Sequence, residues 1–179
     1  MGVHHMAFAT KDAKATHEFY TRAMGFELVK VEVARTQTGF MKHLFYSTGS
    51  DREAMIAFWD IQDPALGDDW SADISRGLGL PRGMNHLAFS ADDLDDIARR
   101  RDRWLAYGRD VSEIDHGWCT SIYTEDPNGI VVEFCVLTKP FTDADKKEAL
   151  ELLSDANPTA ASGYVGRKLY KAADYARAR

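Results

Sequence analysis

Three side chains in this sequence have the types and positions of a metal-ligand set: His5, His86 and Glu133. Glu133 lies in a run from Ile130 to Val136 that is otherwise apolar on both faces and reads as a buried strand. An ionised carboxylate in such a place is costly unless it is paired or coordinates a metal. A salt-bridged or protonated core glutamate is the structural alternative. His5 and His86 each sit in a short strand pattern, with Ala7 and Ala88 two residues on and so on the same face. A small alanine beside each imidazole leaves room for an ion and a ligand. One strand histidine is ordinarily a core or surface residue, but two at equivalent places, with a buried glutamate, are harder to explain that way. Two neutral imidazoles and a carboxylate make a facial triad with open coordination positions. That set suits non-haem Fe(II), and Mn(II) or Zn(II) also fit. His4 is expected to face away from His5, and His17 to lie on the exposed side of a helix.

The elements that must position these residues come as two copies of one pattern. The first opens with a strand at 3–8, followed by a helix over 12–24 with Ala15, Phe19 and Ala23 at spacing four and Gly25 as its C-terminal cap. Extended runs at 27–35, 41–47 and 54–61 follow, separated by turn residues at 36–40 and 48–51. The second copy opens at 84–89, where His86-Leu87-Ala88-Phe89 repeats the order of His5-Met6-Ala7-Phe8. Asp92 or Asp93 caps a second helix carrying Leu94, Ile97, Ala98 and Leu105 and ended by Gly108, and strands fit 110–115, 120–124 and 130–137. The fold class is therefore α+β: two tandem βαβββ modules with a C-terminal helical extension. The modules span 1–62 and 84–139, joined by a Gly-, Pro- and Asp-rich linker at 63–83. The tail, 140–179, is expected to form helices at 143–153 and 164–178, packed on the outside or on a partner subunit.

Composition narrows the function classes. With 179 residues, 45% hydrophobic and 28% charged, the chain can build an ordinary core without disulfides. A net charge of -6 argues against a nucleic-acid footprint. The one basic cluster, Arg99 to Arg101 with Arg103, is interleaved with Asp95, Asp96 and Asp102 and reads as a solvated helix face. Cys119 and Cys135 have no metal or redox spacing and suit a reducing compartment. No secretory signal is visible and no apolar run approaches a membrane span, so no membrane partner and a cytoplasmic location are expected.

The double repeat with ligands on its first strands resembles the vicinal oxygen chelate superfamily, which includes glyoxalase I, fosfomycin-resistance enzymes, bleomycin-binding proteins and type I extradiol dioxygenases. The resemblance covers about residues 1–139 and implies that the two modules form a cupped mixed sheet around a metal site. Within it, residues 114–133 resemble the extradiol ring-cleavage fingerprint: His116, then Tyr123 preceded by an apolar residue, an Asp126-Pro127-Asn128-Gly129 turn and the ligand Glu133. The closest likeness is to the small single-domain extradiol enzymes of the biphenyl-2,3-diol 1,2-dioxygenase type.

That resemblance implies an Fe(II)-dependent dioxygenase cleaving a catechol-like aromatic substrate with O2; the long C-terminal tail suggests a homo-oligomer. Tyr123 would hydrogen-bond substrate oxygens, and His116 would orient substrate or donate a proton. The extradiol pattern carries a further acid–base histidine where this chain has Ala54 or Met55; His43, one strand earlier, is the candidate replacement if it points inward. Two other readings stand beside this one. A glyoxalase-like lyase or isomerase, or a thiol transferase, would use the same scaffold, though residues 54–59 offer no fourth ligand. A non-catalytic aromatic-compound-binding protein would have no use for the intact His5, His86 and Glu133 set.

Overall fold

The computed structural model describes residues 2–49, 54–159 and 165–178. The turn expected at 48–51 falls partly outside them, as does Tyr164, the expected start of the last helix. Each module folds as its own sheet. The first contains β1 (His5–Thr10), β2 (Glu27–Arg35), β3 (Phe40–Ser47) and β4 (Met55–Gln62) in the order β1-β4-β3-β2, with β1 parallel to β4. The second contains β5 (His86–Ser90), β6 (Val111–Asp115), β7 (Cys119–Glu125), β8 (Val131–Leu137) and β9 (Gly166–Tyr170) in the order β5-β8-β7-β6-β9, with β5 parallel to β8. Within each βαβββ unit the first strand thus lies beside the last.

Alternation decides which face of each sheet is buried. In β1, Met6 and Phe8 pack against the core while His5 and Ala7 are exposed. In β5, Leu87 and Phe89 do the same and His86 and Ala88 are exposed. The space behind both sheets is filled by helices. The first, α1 (Ala13–Glu18), is capped by Asp12 and runs into a wider π-helical turn at Phe19–Ala23 that buries Phe19, Tyr20 and Ala23 together. Its counterpart, α2 (Leu94–Ala106), is capped by the Asp93 carboxylate, which accepts from the Asp96 amide at 2.6 Å, and buries Ile97, Trp104 and Leu105. Gly25 and Gly108 follow these helices with φ of 77° and 93°, a backbone that other residues adopt only with strain.

The two modules share one core. Phe26 of the first meets Phe89 and Phe134 of the second, with ring centroids 5.1 and 6.4 Å apart. A buried polar clamp crosses the same interface. The Asp126 carboxylate accepts from Tyr20 Oη at 3.1 Å, from Asn128 Nδ2 at 3.0 Å, and from the amides of Asn128 and Ile130 at 2.8 and 2.9 Å. Asn128 Nδ2 also reaches Thr16 Oγ1, which is bonded to Thr10 Oγ1. The Asp-Pro-Asn-Gly turn is therefore more than a sharp reversal: it ties the entry of β8 to α1 and the end of β1.

The tail differs from the expectation of two helices. The capped helix α3 (Asp143–Ser154) forms, but none of its residues is buried, and Leu150, Leu152 and Leu153 are exposed. Residues 166–170 form β9, antiparallel to β6, before the short helix α4 (Ala172–Arg177) packs on α2. The open edge of β6 supplies backbone partners that outweigh the helical preference of Arg167, Lys168 and Leu169. The arginines of α2 are also less solvated than expected, with Arg100 4.0 Å above the Phe134 ring and Arg101 4.7 Å above Tyr170. No helix among the described residues is long and apolar enough to cross a membrane.

Candidate metal centre

The exposed face of the second sheet gathers four of the six candidate residues. Cross-strand register places Ala88 opposite Glu133 and Glu133 opposite Tyr123, so all three share a face with His86. Glu133 is buried, and its Oε2 lies 3.2 Å from His86 Nε2. The other ring nitrogen, Nδ1, is 3.0 Å from the Gly83 carbonyl oxygen. A carbonyl can only accept, so Nδ1 carries the hydrogen, and a neutral His86 then presents Nε2 as a second acceptor facing a carboxylate. Two acceptors at this distance require a proton shared between them or a metal ion. The backbone bond fixes the tautomer that exposes Nε2, as the outer partners of metal-ligating histidines do. His86 Nε2 and the Glu133 carboxylate are thus two donors of the kind a divalent cation takes.

Tyr123 and His116 complete this face. The hairpin joining β6 to β7 folds His116 back so that its Nε2 lies 3.0 Å from Tyr123 Oη. The Tyr123 ring stands edge-on to His86 at 6.2 Å. Burial, followed by the Glu133 charge, pushes the Tyr123 pKa well above that of a free tyrosine, so the hydroxyl remains a donor. Cys119 lies on the same face, and burial pushes its thiol up to about 12.

The exposed face of the first sheet holds the other two residues. His5 packs edge-on to Phe45 at 5.6 Å and to His43 at 6.2 Å. His43 is buried and stacks on Trp59, with centroids 3.7 Å apart and planes 14° from parallel. Its Nε2 is buried without a hydrogen-bond partner. Burial, and then the nearby His5 charge, hold its pKa below the ordinary histidine value. His43 thus lies on the same face of the first sheet as His5. His4 departs from expectation: it precedes β1, so strand alternation does not apply, and its Nδ1 lies 2.8 Å from His5 Nδ1. His17 is half-buried against Tyr46, its Nδ1 3.3 Å from Tyr46 Oη, rather than a free surface residue.

One expectation requires correction. A single chain does not bring His5 to His86 and Glu133, and among the described residues no three His, Cys, Asp or Glu side chains come close enough to hold an ion. The physical reason is the shared core. Helices occupy the space behind both sheets, so the two histidine-bearing faces turn away from that common interior. Sequence reasoning also missed the Gly83 carbonyl and the Tyr20–Asp126 clamp. Neither has a spacing signal, and Tyr20 and Asp126 stand 106 positions apart.

A sequence profile of the Glyoxalase/Bleomycin resistance protein/Dioxygenase superfamily matches residues 2–134. Among solved structures, a glyoxylase/bleomycin resistance protein/dioxygenase domain from Frankia sp. EAN1pec is similar with a TM-score of 0.57 and 19% identity, over 76% of this chain and 98% of its own. The fosfomycin resistance protein FosX from Listeria monocytogenes gives 0.53 and 18%, over 81% and 98%. Lactoylglutathione lyase from Agrobacterium tumefaciens gives 0.50 and 23%, over 75% and 92%. Identities this low establish a common fold alone. No curated protein sequence matches the chain. The profile match spans both histidine strands and reaches Glu133, and on that evidence the chain belongs to the Glyoxalase/Bleomycin resistance protein/Dioxygenase, or vicinal oxygen chelate, superfamily.

Proposed function

We propose that this protein is a metal-dependent dioxygenase, using Fe(II), that opens a catechol ring with O2, and that each site is assembled from two copies of the chain. The observation that carries the reading is the 3.0 Å bond between His116 and Tyr123, on the face that also presents Glu133 and His86. A half-buried tyrosine held by a histidine beside a cation-demanding pair suits a substrate with two adjacent oxygens. The exposed face of β4 presents Met55, Ala57 and Trp59, with no carboxylate or imidazole, which favours a three-ligand set over the four-ligand alternative.

Assembly from two copies follows from the two outward faces. Among the described strands, β1 pairs only with β4 and β5 only with β8, so each histidine strand is the edge of its sheet. A two-fold axis that sets the first sheet of one copy against the second sheet of the other would add His5 of the partner subunit to His86 and Glu133, and would do so twice.

When bound, the ion would bring a catechol and O2 into contact and let charge pass between them. Tyr123 donates its hydroxyl hydrogen to a substrate oxygen, and His116 holds that hydroxyl in place. His43 offers a buried, unpartnered nitrogen to take a proton from a catechol hydroxyl. Phe45 and Trp59 line the approach with apolar rings that exclude water.

Anaerobic loading with Fe(II), followed by oxygen uptake and visible absorbance with a series of catechols, tests the reading. Oxygen consumption with a coloured ring-opened product is expected, with a loss of at least about 10²-fold in His86→Ala. Tight Fe(II) binding without oxygen uptake on any catechol would contradict it.

A further inference from the structure

The two histidine strands open alike: Gly2-Val3-His4-His5 stands in the first module where Gly83-Met84-Asn85-His86 stands in the second. Their imidazoles are held by different groups. His86 gives Nδ1 to a backbone oxygen, the Gly83 carbonyl at 3.0 Å. Asn85 beside it is turned to the linker, with Nδ2 on the Ile74 carbonyl at 3.3 Å and its main chain on Ser75 Oγ. In the first module the neighbouring side chain itself reaches round. His4 Nδ1 lies 2.8 Å from His5 Nδ1, with ring centroids 5.1 Å and planes 74° apart. The main chain there is tied down, because the His4 carbonyl accepts from the Met55 amide at 2.9 Å. Both side chains therefore leave a fixed strand entry.

Two neutral imidazoles that meet nitrogen to nitrogen must differ in tautomer. The donor carries its hydrogen on Nδ1 and leaves Nε2 bare, whereas the acceptor carries its hydrogen on Nε2. The pair thus presents one bare Nε2, and the direction of the bond decides which histidine has it. We propose that His4 is a positioning residue: it accepts the Nδ1 hydrogen of His5 and so leaves His5 Nε2 bare for the metal, as the Gly83 carbonyl does for His86. This rests on the shared site proposed above, in which His5 is a ligand. Both rings are exposed in one chain, and a two-copy assembly would cover them. Away from water, a ring nitrogen offering a hydrogen instead of a lone pair is left unsatisfied, and the cost rises. Removing such an outer partner from a metal-ligating histidine weakens metal binding about 10- to 100-fold. A backbone oxygen cannot be deleted by substitution, but the His4 ring can.

Two measurements test this, and the first needs no metal. Long-range proton–nitrogen correlation spectra of the metal-free protein, in mildly alkaline buffer, report which nitrogen of each histidine carries hydrogen. His5 should carry it on Nδ1 and His4 on Nε2, and His5 should lose that preference in His4→Ala. A hydrogen on His5 Nε2 in the parent, or a His5 signature unchanged in His4→Ala, would overturn the proposal. The second is Zn(II) affinity, read by competition with a chromophoric chelator. His4→Ala should weaken it about tenfold. His4→Asn, whose Oδ1 can accept from the same place as the imidazole Nδ1, should stay within about twofold of the parent. His4 is exposed, so neither substitution disturbs the core. Equal weakening in both variants, or none in His4→Ala, would overturn the positioning role. The expected zinc series with no oxygen uptake on any catechol would keep that role and defeat the dioxygenase. Oxygen uptake with zinc affinity unchanged in His4→Ala would overturn the role and leave the dioxygenase standing.

Discussion

With Nδ1 committed to the Gly83 carbonyl, His86 and the Glu133 carboxylate meet as two acceptors in the absence of a cation or an extra proton. This makes the effect of Glu133→Gln distinctive. A glutamine amide can donate to Nε2, so the metal-free variant should be as stable as the parent or more so, by up to about 1 kcal/mol. It should also lose the rise in melting temperature that Zn(II) or Fe(II) gives the parent. Destabilisation of the metal-free variant by about 2 kcal/mol or more would instead identify an imidazolium–carboxylate ion pair. Cys119 supports a second expectation at this scale. With its thiol pushed up to about 12, roughly one molecule in 10⁴ carries the thiolate at pH 8. Iodoacetamide should leave Cys119 unmodified in the native protein and label it once guanidinium has unfolded the chain, as mass spectrometry of the peptide would show. That Glu133, His86 and Tyr123 share one face was legible in residue type and spacing because each lies on a strand of regular period. The Gly83 carbonyl was not, because a backbone oxygen leaves no trace in residue type.

Among elements, the turn before β8 connects the modules. Asp126 is buried with four hydrogen bonds converging on it, and Tyr20 supplies the one that crosses between modules. Tyr20→Phe keeps the ring in the core and removes only that donor, so it should lower stability by about 1–2 kcal/mol, read as a shift in the urea midpoint at unchanged m-value. An unchanged midpoint would show that the other three donors satisfy Asp126 alone. The strands and α2 could be read from periodicity, because half-buried elements imprint alternation or a 3.6-residue repeat on the sequence. The π-helical turn could not, since Phe19, Tyr20 and Ala23 also satisfy an ordinary helical spacing. Nor could β9, whose existence depends on the free edge of β6 rather than on Gly166–Tyr170 themselves.

At the scale of the whole molecule, the repeat predicts two equivalent modules but not which way their open faces turn. That orientation is set by the shared core of Phe19, Tyr20, Phe26, Phe89, Trp104 and Phe134, residues that periodicity marks as buried without saying against what. The result is a chain with His5 and His43 on the open face of one sheet and His86 and Glu133 on that of the other, which the proposed function reads as two half-sites. A symmetric pair of chains would hold two complete sites. Mixing two variants tests this most directly: His5→Ala and Glu133→Gln, each purified alone and then refolded together, with tightly bound metal counted per chain. Each variant alone should hold no tight metal. The mixture should recover roughly a quarter of the wild-type stoichiometry, because half the pairs are mixed and each mixed pair has one intact site. A mixture as empty as its parents, with mixed pairs shown to form, would contradict a site shared between two copies, as would full metal binding by His5→Ala alone.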